Sequence, residues 1–97
     1  MFARVSRFQE TPEGVAESIT RTTDVVEKAG AMAGFKGILY LADRSSGRTM
    51  AVTLWDTEEA MRASEEAADR LRDDEAGATG ASIVAVERYE VVTAELR

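Results

Sequence analysis

The chain contains no cysteine, no histidine and no asparagine, and only one proline. Without cysteine there is no disulfide, no thiolate nucleophile and no thiolate-bound metal. Without histidine the commonest metal ligand and the usual general base near neutral pH are both missing. One proline and seven glycines in 97 residues argue against a disordered or linker-like chain. No apolar run approaches the ~20 residues of a membrane span. Residues Met1 to Arg7 place charges inside the apolar pattern, so they form no signal-peptide core. These absences lead to the expectation of a cytoplasmic protein with no bound metal and no membrane partner.

What is present is ordinary for a globular fold: apolar residues make up 44% and charged residues 31%. The length suits one domain over residues 1–97 with a modest core. A net charge of -6 weighs against nucleic acid or an anionic membrane as partner. The acidic groups Glu58-Glu59, Glu65-Glu66 and Asp73-Asp74-Glu75 fit no calcium loop. Neighbouring residues diverge on a helix, so these acids read as solvated surface.

Phe2 to Gln9 alternates as a strand, with Ala3 and Val5 on one side and Phe2, Arg4, Ser6 and Phe8 on the other. Thr11-Pro12 is a helix start, threonine capping and proline in the first turn. Val15, Ile19, Thr22 or Thr23, Val26 and Ala29 continue at helical spacing, and Gly30 and Gly34 end that helix. Phe35 to Ala42 and Thr49 to Trp55 read as two strands around an Asp43–Arg48 turn, in which Gly47 suits a left-handed position. Asp56 and Glu59 offer a capping box for a second helix, which carries Ala60, Ser64, Ala67, Ala68 and Leu71 on one face. Asp73 to Ala81 reads as a loop and Ser82 to Val92 as the last strand. The order βαββαβ predicts an α+β, ferredoxin-like fold: a four-stranded antiparallel sheet with strands one and three central and the helices on one face.

A four-residue loop, Arg44 to Gly47, would pair Leu41 with Met50, Leu39 with Val52 and Gly37 with Leu54. It would also pair Tyr40 with Ala51, Ile38 with Thr53 and Lys36 with Trp55. The first set is purely aliphatic and is expected under the helices. The second, with Ile38, Tyr40, Thr53 and Trp55, is then left outside. It is too apolar to stand in water, which marks an interface or a ligand cavity. In so short a chain the covering partner is expected to be a second copy.

Four stretches carry a family resemblance. They are Thr11-Pro12-Glu13-Gly14, Gly34-Phe35-Lys36-Gly37, the run from Ala51 through Trp55-Asp56-Thr57 to Ala60, and Val86-Glu87-Arg88-Tyr89-Glu90-Val91. Over nearly its whole length the chain resembles the antibiotic biosynthesis monooxygenase-like family. The resemblance implies a dimeric α+β barrel: a homodimer closed sheet to sheet, with a pocket in each protomer between the sheet and its helices or within the barrel. It further implies either of two activities. Cofactor-independent oxygenases of the family act on polycyclic phenols through an Asn, a Trp, a Tyr and an Arg. Haem-degrading members use an Asn, a Trp and a haem-ligating His. The absence of asparagine and histidine removes the second set and leaves the first incomplete. No cofactor is therefore expected, and no residue is assigned as catalytic.

The candidate pocket residues are Arg4, Ile38, Tyr40, Thr53, Trp55, Arg88 and Tyr89. Each also has a structural reading. Trp55 can pack the sheet end, and Tyr40 can serve a core or a dimer seam. Arg88 and Tyr89 point to opposite faces of one strand, so at most one can line a given cavity. Arg88 can pair with Glu87 or Glu90. Arg4, if enclosed, needs a partner, either a carboxylate of the protein or an anionic ligand. The sequence supports two functions: a cofactor-independent monooxygenase of a flat phenol or quinol, or a non-catalytic protein that binds such a molecule.

Overall fold

A computed structural model describes residues 1–97. The chain runs β1 (Phe2–Gln9), α1 (Pro12–Thr20), α2 (Thr22–Gly30), β2 (Phe35–Asp43), β3 (Arg48–Trp55), α3 (Glu58–Ala63), α4 (Glu65–Thr79) and β4 (Ser82–Glu90). The sheet order is β2-β3-β1-β4, antiparallel throughout, with β1 and β3 in the centre. This is the expected ferredoxin-like α+β arrangement. No helix is long and apolar enough to cross a membrane.

Each helical segment is broken once, at Arg21 and at Ser64. Hydroxyl side chains cause both breaks by bonding back to carbonyls that a continuous helix would use. Thr20 Oγ1 donates to Glu17 O at 2.7 Å and Thr22 Oγ1 to Ile19 O at 2.9 Å. Ser64 Oγ donates to Met61 O at 2.7 Å. The start at Thr11-Pro12 is as expected, the Thr11 hydroxyl accepting from Gly14 N–H. The start of α3 is not, because Thr57 caps it and accepts from Ala60 N–H at 3.0 Å. Asp56 instead donates its backbone N–H to Gly34 O at 2.8 Å. The expected loop over Asp73–Ala81 is mostly helix: α4 continues to Thr79 and stops at Gly80, whose φ of 75° is left-handed.

The hairpin register matches the four-residue loop, with Leu39 opposite Val52, Tyr40 opposite Ala51 and Ile38 opposite Thr53. One pairing differs. A bulge at Lys36 places Phe35, not Lys36, opposite Trp55. Phe35 thereby meets the Trp55 ring edge-on, with centroids 5.7 Å apart.

The faces, however, are the reverse of the expectation. Ile38, Tyr40, Thr53 and Trp55 lie under the helices, together with Arg4, Ser6 and Phe8 of β1. The aliphatic set lies on the side that no helix covers, and Leu39 and Leu41 there are each 48% exposed. Total apolarity could not separate the faces, because both are apolar. The mixed face goes inward because the helices bring hydrogen-bond partners for its polar atoms, which an aliphatic face would leave unmatched.

The β2–β3 turn closes against the end of β1. Glu10 N–H donates to Gly47 O at 2.8 Å, and Gly47 has φ 79°. A Cβ added at Gly47 would lie 1.9 Å from Glu10 O. Gly77, in α4, has no atom within 4 Å of the corresponding position. Gly47→Ala is therefore expected to cost at least about 2 kcal/mol through backbone strain and clash. Gly77→Ala should stabilise by up to about 1 kcal/mol through helix propensity. Urea denaturation of the two variants checks the opposite signs.

Candidate functional site

Between the sheet and helices α2 and α4 lies a cavity of about 230 Å³. Its floor comes from alternate residues of β1, β2 and β3, which the two-residue period of a strand puts on one face. Its roof is small and aliphatic, with Val25 and Ala29 from α2 and Ala68, Leu71 and Ala76 from α4. The short side chains of Ala29, Ala68 and Ala76 leave the space beneath the helices unfilled.

One end of the cavity is organised by Glu10, only 7% exposed. Its carboxylate accepts from the Tyr40 hydroxyl at 3.2 Å, from the Thr49 hydroxyl at 2.5 Å and from the Ser18 hydroxyl. Three elements are thus tied to one buried charge. Burial pushes the Tyr40 phenol above its ordinary value of 10.0, so it stands here as a neutral donor.

The other end is organised by Arg4, 2% exposed. Arg4 Nη2 donates to Met61 O at 2.7 Å and to Ser64 Oγ at 3.0 Å, where α3 and α4 separate. It also pairs with Glu65 at 3.0 Å. The guanidinium carbon sits 5.3 Å from the centroid of the Trp55 ring, within cation–π range. Trp55 is 1% exposed, and its indole N–H donates to Thr53 Oγ1 at 2.9 Å. Beside Arg4 on β1, Ser6 accepts from Arg72 Nε of α4 at 3.1 Å.

Of the seven sequence candidates, five line this cavity: Arg4, Ile38, Tyr40, Thr53 and Trp55. Arg88 lies outside it and grips Glu65 with two bonds, at 2.7 and 2.6 Å, rather than Glu87 or Glu90. Tyr89 is on the uncovered face, where its hydroxyl donates to Glu87 at 2.9 Å and Arg7 meets the same carboxylate at 2.7 Å. Arg88 and Tyr89 do point to opposite faces, since Arg88 stands opposite Arg4 and Tyr89 opposite Ala3. Arg4 has found a protein carboxylate. That carboxylate, Glu65, belongs to a pair read from sequence as solvated surface; its bonds to two arginines correct that reading.

The sequence reading passed over Glu10, Ser18, Thr49 and Arg72. Glu10 was within reach, because extending the alternation Phe2, Arg4, Ser6, Phe8 by one step lands on it. Thr49 likewise continues Ala51, Thr53, Trp55 in the other direction. Ser18 and Arg72 sit on helices whose rotation only packing fixes.

No protein-family model matches the chain. It is 38% identical over 92 residues to an uncharacterised protein of Mycobacterium tuberculosis, covering 94% of this chain and 41% of that one. The chain thus spans about two fifths of the length of the curated relatives it matches. Among solved structures it is similar to a protein of Deinococcus radiodurans provisionally assigned as an antibiotic biosynthesis monooxygenase. That likeness has a TM-score of 0.74 at 15% identity, over 100% of this chain and 98% of the other. It is similar to the haem degrader MhuD of Mycobacterium tuberculosis, solved with two haems in its active site, at 0.72 and 19%, over 98% and 99% of the chains. A Streptomyces coelicolor monooxygenase in complex with nanaomycin D follows at 0.69 and 19%, over 99% and 91%. The chain has the fold of the antibiotic biosynthesis monooxygenases, a fold that houses both monooxygenases and a haem degrader.

The bidentate grip of Arg88, reinforced by Arg4, holds the Glu65 carboxyl at about 2 against an ordinary 4.5. Because the folded value is depressed, its stabilisation is complete above about pH 4.5 and is lost as pH falls toward 2. Glu65→Gln would leave Arg4 buried without a counter-charge and should cost about 2–3 kcal/mol at neutral pH. Urea midpoints of the two proteins from pH 7 downward should converge below pH 4.5. A gap independent of pH would contradict this role.

Proposed function

We propose that this protein binds a compact, flat phenol or quinol between sheet and helices and oxygenates it without a cofactor. The observation that carries the proposal is the cavity: a half-open cleft between sheet and helices, floored in part by Trp55, mostly apolar, and given polar groups at its two ends. An apolar slot with a few placed polar groups is the usual form of a small-molecule site. Its 230 Å³ is below the ~300–1,000 Å³ common for such pockets, which favours one or two fused rings over larger polycycles. Similarity to structures of monooxygenases supports the choice of reaction class. Tyr40, a neutral donor at the end away from Arg4, would turn its hydroxyl from its 3.2 Å bond to Glu10 to stabilise negative charge as it develops on the phenol oxygen. The chain has no histidine to serve as an axial haem ligand, and this disfavours the haem-degrading alternative.

A second reading, binding without turnover, is favoured by one specific observation. The Glu10 carboxylate already accepts three hydroxyl protons, as a structural hub would. Oxygen uptake with naphthols and naphthalenediols separates the two. Turnover that falls at least about 10-fold in Tyr40→Phe supports the oxygenase. Binding without oxygen uptake supports the second reading, and an absence of both defeats the site.

We further propose that the protein is a homodimer closed over the uncovered sheet face. Leu39 and Leu41, each 48% exposed, lie there beside the half-buried Val5, Val52 and Leu54, an apolar surface that an isolated protomer would show to water. Light scattering is expected to give twice the 10.5 kDa chain mass, and Leu39→Asp with Leu41→Asp to give a single chain mass. A wild-type monomer would refute the dimer.

A further inference from the structure

Two guanidinium groups, Arg4 and Arg72, line the cavity. Glu65 is shared between Arg4 and Arg88, while Arg72 pairs with Asp69 at 2.7 Å. Each lining guanidinium thus has a protein carboxylate, and Glu10 and Glu75 also line the cavity, so charge alone does not call for a ligand.

Hydrogen bonding is where this part of the wall is incomplete. Arg4 Nε is buried and is the one buried side-chain nitrogen or oxygen without a partner. Most buried donors are paired, so an orphan on a charged group lining a cavity is a candidate ligand contact. Ser6, two residues along the same face of β1, accepts from Arg72 and has no protein acceptor for its own proton. The Arg72 side chain is 9% exposed and reaches the cavity from α4. Donors from β1 and α4 thus line the same cavity, Arg4 beside the Trp55 ring and Arg72 on Ser6.

We propose that Arg4, Ser6 and Arg72 form an oxyanion subsite that receives the carboxylate of a hydroxyaryl acid. The proposal deepens the phenol-binding reading above and rests on it. A carboxylate is flat, carries a negative charge and accepts several hydrogen bonds, which suits donors presented by a strand and a helix. With the acid held against Arg4 and Arg72, the aromatic ring lies along the apolar wall beside Trp55. The carboxylate then serves to orient the ring, and the reacting hydroxyl is left to the remainder of the cavity.

Calorimetric titration of the intact protein at neutral pH with 2-naphthol and with 3-hydroxy-2-naphthoate tests this, because the second differs by the carboxylate alone. The acid is expected to bind at least about 10-fold more tightly than the naphthol. That preference should shrink to less than about 3-fold in Arg72→Gln, which keeps most of the side-chain bulk. Ser6→Ala, a small change in a strand, provides a second variant, with an expected loss of about 3-fold or more in the preference. Equal affinities in the wild type, or a preference that survives both substitutions, would overturn the subsite. Naphthol binding without preference for the acid defeats the subsite alone. Failure of either compound to bind defeats it together with the reading on which it rests.

Discussion

The fold depends on how it houses a guanidinium that is almost entirely removed from water. Arg4 stands in the centre of the sheet, on the face that the helices cover, and must be given both hydrogen bonds and a counter-charge. The solution is a broken helix. Where α3 yields to α4 at Ser64, Met61 O and Ser64 Oγ both accept from Arg4, and the first residue of α4, Glu65, supplies the charge. The same interaction fixes the position of α4 along the sheet. It sets the Trp55 ring against the guanidinium and leaves one buried N–H without a partner.

The opposite end of the cavity has an inverse design. Glu10 is a buried anion satisfied by hydroxyl groups from α1, β2 and β3, with no cation in contact. Gly47 brings the hairpin turn onto its backbone. A cation is thus anchored at one end and an anion at the other, with an apolar slot between. Such a slot can orient an unsymmetrical ligand, because its two ends prefer opposite partners.

The exchange of faces in the hairpin follows from the same polar groups. Read as a pattern of apolarity, Leu39, Leu41, Met50, Val52 and Leu54 make the better core. Yet Arg4, Ser6, Tyr40 and Thr53 find their partners on helices, in the Trp55 indole or in Glu10, and could not find them above the sheet. The aliphatic face is left uncovered, and it is the smoother surface for a second sheet to pack against.

Local chemistry was enough to place the strands, the Thr11-Pro12 helix start, the hairpin register and the opposite directions of Arg88 and Tyr89, because each depends on the two-residue strand period or on a turn of a few residues. Five pocket residues were also legible, since they share a strand face. Helix rotation, the joints at Arg21 and Ser64, and the reach of α4 to Thr79 were decided by packing and by hydroxyls competing for backbone carbonyls. The tertiary structure alone decided which face is inside and which acid meets Arg4. Burial of a charge is settled by partners distant in sequence, and no local pattern specifies where those partners will stand.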